Sequence, residues 1–97
     1  MTEEQVIRNA AKLYKMRDAA RTVWGEKYQA RLTQYLNVMA RYMVKEGCNE
    51  IEAFIRMSKR VQDNHPGADT SWVIIGLAAA AVELTERNKG VSNGVES

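Results

Sequence analysis

The stretch TSWVIIGLAAAAVEL, Thr70–Leu84, decides the fold. No charged side chain lies between Trp72 and Val82. A membrane-spanning helix needs about 20 apolar residues. This run has eleven, and Glu83 and Glu86 follow it directly. Its length predicts a core helix rather than a span. A helix that is apolar on every side must be covered on every side, either by the rest of the chain or by a second copy of it. Gly76 and Ala80 are spaced by four, and with Ala79 they form a small-residue surface that lets a neighbour approach closely. Trp72, Ile75, Leu77 and Leu84 are expected to fill the space around it.

The cover has to come from residues 1–69, and their pattern is helical. Pro66 is the only proline, and before Gln62 only Gly25 and Gly47 weaken a helix. No stretch alternates with a period of two. The chain therefore reads as all-α: a compact bundle of four helices, or five where the chain breaks near Arg17 or Gly25, with the Ala-rich C-terminal helix at its centre. A single domain is expected over 1–87 and a mobile tail over 88–97, where apolar periodicity stops.

The first helix has Thr2 as N-cap, with Gln5 at capping-box spacing and Glu3 and Glu4 at the positive end of the dipole. Val6, Ala10, Leu13, Ala20 and Trp24 fall on one face. Arg17 and Arg21 fall within that apolar stripe. A local break, snorkelling stems, or a carboxylate in the fold or on a partner would each account for them. Gly25 either ends this helix or bends it. The second helix is the clearest. Tyr28, Leu32, Tyr35, Leu36, Met39, Tyr42 and Met43 follow three- and four-residue spacing, and Gly47 is a left-handed terminator. Asn49 caps the third helix, whose inner face is Ile51, Phe54, Ile55, Ser58 and Val61. The segment QDNHPGADTS, residues 62–71, is a loop, and Asp69, Thr70 or Ser71 caps the last helix, which should end near Arg87.

The net charge of +2 hides a polarity. Residues 5–45 hold nine basic and two acidic side chains, whereas 46–97 hold five basic and eight acidic. The opening Met-Thr-Glu-Glu-Gln has neither the basic start nor the apolar stretch of a secretory signal. With Cys48 as the sole cysteine, this points to a soluble, cytoplasmic protein.

No catalytic or metal-binding set is expected. His65 is the only histidine and lies in a polar loop, and zinc sites need three or four ligands at recognisable spacing. Cys48, between Gly47 and Asn49, reads as a half-buried connector residue. No glycine-rich phosphate loop or dinucleotide fingerprint is present, so no cofactor and no small-molecule substrate are implied. The expected function is non-enzymatic: binding of another macromolecule, first a protein, which includes a second copy of the chain, as an adaptor, regulator or inhibitor. The alternative is nucleic acid held by the basic surface of the first two helices. A third is an enzyme of unrecognised type using Cys48 or His65. The candidate binding residues are Arg8, Lys12, Lys15, Arg17, Arg21, Trp24, Lys27, Arg31, Tyr35, Arg41, Tyr42 and Lys45. Among them Lys27, Arg31, Arg41 and Lys45, with Gln34, share one flank of the second helix.

Overall fold

A computed structural model describes the backbone of residues 3–96 and the side chains of residue 8 and residues 11–88. Every regular element among the described residues is helical, so the protein is all-α. Helix α1 spans Glu3–Trp24, α2 Tyr28–Glu46, α3 Glu50–Asn64 and α4 Ser71–Glu96. A 3-10 turn, Gly25–Lys27, joins α1 to α2.

That joint corrects the expected helix count. Helical backbone runs without a gap from Glu3 to Glu46, so non-helical chain separates three helical segments rather than four or five. The corner is at Gly25, whose φ of +53° is left-handed and open to glycine without steric cost. No break occurs at Arg17, and α1 passes through it intact. The predicted cap at Thr2 lies outside the described residues, as do the side chains of Gln5, Val6 and Ala10.

The remaining boundaries follow local chemistry. Gly47 closes α2 at φ +63°, its N–H donating to Met43 O at 2.8 Å. Asn49 Oδ1 accepts from the Glu52 N–H at 2.9 Å and starts α3. Asp69 Oδ1 accepts from the Ser71 N–H at 3.0 Å at the head of α4. Hydrogen bonding from Ser71, first from its side chain and then from its backbone, holds the Asp69 pKa below its ordinary value. Helix α4 does not stop near Arg87 but continues to Glu96. Gly90 and Gly94 weaken a helix there without forbidding it, and Asn88 Nδ2 donates to Glu50 Oε1 of α3.

Helix α4 is the centre. Helices α1, α2 and α3 each pack on it more than on one another. Every residue from Gly76 to Val82 is buried by this one chain, so no second copy is needed to cover it. The four alanines add little apolar area each, but they keep α4 thin enough for three helices to reach it. The larger contributions come from Leu32, Leu36 and Met39 of α2, Leu13 of α1, and Leu77 and Val82 of α4 itself. Each such side chain contributes about 1.5–3 kcal/mol on burial. Helix α3 is the least anchored element, with Ala53 its one fully buried residue and Ile55 left exposed against expectation.

Helix α1 makes its most extensive packing against α4. One flank, Tyr14, Arg17 and Arg21, meets Glu83 and Glu86 in the later part of α4. The other, Lys15, Met16 and Ala19, lines a hollow together with Ser71, Ile74 and Ile75 at the start of α4. Ala20, wholly buried, lies between the two flanks. Trp72 does not join the core as expected: it is 49% exposed. It sits in the first turn of α4, at the edge of a hollow beside Val23 and Trp24.

Candidate functional site

The arginines in the apolar stripe of α1 are explained by one carboxylate. Glu83 Oε1 lies 3.7 Å from Arg17 Nη1, accepts from Arg21 Nη2 at 3.3 Å, and accepts from the Tyr28 hydroxyl at 3.2 Å. Tyr14 Oη donates to Glu86 one turn on. Each guanidinium also sits over a ring, Arg17 over Tyr14 at 5.1 Å and Arg21 over Tyr28 at 5.5 Å. The Arg17 side chain is only 16% exposed. Its Nε is buried without a hydrogen bond, 3.5 Å from Asp18 Oδ1. Burial, then the Glu83 charge, pushes the Tyr28 phenol up. The hydrogen bond to Glu86, then burial, does the same for Tyr14. Arg17 and Arg21, two of the candidate binding residues, are therefore engaged inside the fold and fasten α1 to α4.

Other candidates converge at the α1–α2 corner. Because Gly25 turns the chain, Trp24 of α1 faces Tyr35 of α2, with ring centroids 6.0 Å apart and planes within 10°. This is offset stacking. Tyr28 packs obliquely on the same indole at 6.1 Å. The hydroxyl end of the Tyr35 ring rests on Gly76 of α4. A Cβ built there would fall 2.7 Å from Cε1 and closer still to Cζ and Cε2. The small-residue position foreseen for a neighbouring helix thus receives an aromatic ring. Arg31 lies 5.7 Å from the Trp24 ring. Around this stack opens a hollow of about 430 Å³, lined by Val23, Trp24, Lys27, Arg31, Tyr35 and Trp72.

The hollow continues into a stripe along α2. Lys27, Arg31, Gln34, Val38, Arg41 and Lys45 recur at three- and four-residue spacing on its outer side. Among the described residues, none of the four cations is paired with a carboxylate, in contrast to Arg17, Arg21 and Arg56. Valines interrupt the charge: Val38 is 51% exposed and Val44, beside the stripe, 86%. At the far end Ala40, Arg41, Val44 and Lys45 border a second depression of about 380 Å³.

The structure does not gather all candidates on this surface. Tyr42 packs against the core rather than presenting a free ring face. Arg8 and Lys12 are exposed on α1, which touches α2 only slightly. Lys15 instead borders a more apolar hollow of about 480 Å³ with Met16, Ala19, Ile74 and Ile75. Val38 and Val44 belong to the surface and were not singled out for it from sequence. Val44 carried a signal, since it falls off the apolar stripe of α2.

Cys48 and His65 flank opposite ends of α3. Its 15 residues, at about 1.5 Å each, put roughly 22 Å between those ends. A nucleophile–base pair needs hydrogen-bond reach, so these two side chains cannot form one. Among the described residues no three His, Cys, Asp or Glu side chains cluster as metal ligands would, and no helix is long and apolar enough to cross a membrane. Comparison with protein-family models, curated proteins and solved structures finds no match.

Proposed function

We propose that this is a small non-enzymatic helical protein that works by binding another protein, and that the partner docks on the outer side of α2 and the hollow at its N-terminal end. One observation carries the reading: exposed Trp72, Val23, Val38 and Val44 are interleaved with Lys27, Arg31, Arg41 and Lys45, cations without a carboxylate partner among the described residues. Protein interfaces enrich tryptophan, tyrosine and arginine around apolar centres. Trp72, Val23, Val38 and Val44 lie outside the buried core. The enzyme reading has no support from the separated Cys48 and His65.

Nucleic acid fits the cations but not the rest of the surface. Valine methyl groups facing a phosphate backbone would gain no apolar partner. Trp24 and Tyr35 already stack on each other, leaving Trp72 as the exposed ring for a base. A second copy docked by the same face would oppose one basic stripe to another, a like-charge arrangement that costs affinity. The test is photo-crosslinking in cells from a benzophenone amino acid placed at Val38, with Lys59 on α3 as control. A protein adduct at Val38 and none at Lys59 is expected. A nuclease-sensitive adduct, or equal yields at both positions, refutes the reading.

A further inference from the structure

We propose that the occupant of this surface is an acidic, amphipathic segment of the partner, long enough to run from the Trp72 hollow to the Val44 depression. This rests on the protein-binding reading above and deepens it. The two hollows mark the ends of the site. Lys27 and Lys45 are 18 positions apart, which at about 1.5 Å per residue is roughly 27 Å along α2. A helical segment of about 18 residues, or an extended one of about eight at roughly 3.3 Å each, spans that distance.

The chemistry of the segment follows from what the surface lacks. Lys27 and Arg31 border the first hollow, and Arg41 and Lys45 border the second. Each pair is free of carboxylate partners among the described residues, so acidic side chains would complement both ends. The intervening surface carries Gln34 and the exposed Val38. The first hollow offers the faces of Trp72 and Val23, the second Ala40 and Val44. Apolar anchors are therefore required beside the acids, one for each hollow. A purely acidic chain would satisfy the cations and leave Trp72 and Val44 in water. A purely apolar one would bury cations unpaired, which is unfavourable. Because the charges lie at an exposed rim, they should speed association and make it salt-dependent, while the apolar anchors set the residence time.

Fluorescence anisotropy on the full chain tests this with four probes. They are a Glu/Leu peptide of about 18 residues with leucines at helical spacing, a scrambled peptide of the same composition, polyglutamate of equal length, and single-stranded oligothymidylate. The ordered peptide is expected to bind at least tenfold more tightly than the other three. Lys27→Glu/Arg31→Glu and Trp72→Ala should each weaken it about tenfold or more with the helical circular dichroism unchanged, and a Lys59→Glu/Arg60→Glu control on α3 should not. Equal binding of ordered peptide, scrambled peptide and polyglutamate overturns the inference, because it reports charge alone. Oligothymidylate binding most tightly overturns it together with the protein-binding reading. Absence of peptide binding, with a Val38 crosslink mapping to a neutral or basic partner segment, overturns the inference and leaves that reading standing.

Discussion

Replacing Gly76 with alanine should destabilise the protein, although the same change usually stabilises a helix. In an open helix interior, Gly→Ala gains about 1 kcal/mol of helix propensity. At Gly76 the new Cβ would fall within 3.0 Å of three Tyr35 ring carbons. The ring end must withdraw, and moving it disturbs the stack with Trp24. Forcing a methyl into a packed site costs about 1–3 kcal/mol, and losing an aromatic pair costs about 0.5–1.5 kcal/mol more. After the propensity gain, a net loss of about 0.5–3.5 kcal/mol remains. For a chain of this size each kcal/mol lowers Tm by about 4–8 °C. Thermal and urea unfolding, followed by circular dichroism and tryptophan fluorescence, measure it. In a Tyr35→Leu background the clash disappears, and Gly76→Ala should then be neutral or stabilising, a coupling of about 1–3 kcal/mol. A higher Tm for Gly76→Ala in the unmodified chain would refute the placement of Tyr35 on α4.

Other perturbations address the remaining contacts. Ala80→Leu, at a wholly buried position of α4, should cost about 1–3 kcal/mol by overpacking, and an unchanged Tm would remove this part of α4 from the core. Glu83→Gln takes the shared carboxylate from Arg17, Arg21 and Tyr28. Because the pair retains some solvent, the loss should be about 1–3 kcal/mol, below that of a fully buried pair. Urea unfolding reads it, and less than 0.5 kcal/mol would mean that the contact is only superficial. The raised Tyr28 phenol gives a pH dependence. The folded state keeps a proton that the unfolded state releases near pH 10, so stability present below about pH 10 is lost as pH rises toward the folded value. Tyr28→Phe should flatten that alkaline decline, with Tyr14 sustaining part of it, when unfolding free energy is followed from neutral pH upward.

The helical character, the caps at Asn49 and Gly47, and the central place of α4 were legible because each rests on local spacing or one residue's chemistry. The Gly25 corner was legible as a position but not as a geometry. A left-handed glycine either ends a helix or bends it, and only the packing of Trp24 against Tyr35 shows which. Arg17 and Arg21 announced an unsatisfied charge in an apolar stripe. Their partner, Glu83, is 62 residues beyond Arg21, and no local pattern links the two. The binding candidates were legible as charges. What separated Arg17 and Arg21 from Lys27 and Arg31 was tertiary, since Glu83 contacts both members of the first pair and no described carboxylate reaches the second. Trp72 was misassigned to the core because its apolar neighbours continue the helix. Its place in the first turn, at the edge of the hollow beside Val23, Trp24 and Tyr35, leaves it half in water.

The central claim is that the outer side of α2 is where a partner docks. It is tested most directly by amide and indole chemical-shift mapping of the ¹⁵N-labelled protein titrated with the ordered acidic peptide. The Trp72 indole and the backbone amides of Arg31, Val38, Arg41 and Val44 should move together and saturate at one midpoint, while Glu52, Arg56 and Lys59 on α3 stay still. Shifts centred on α3, or on the hollow at Met16 and Ile74, would contradict the account.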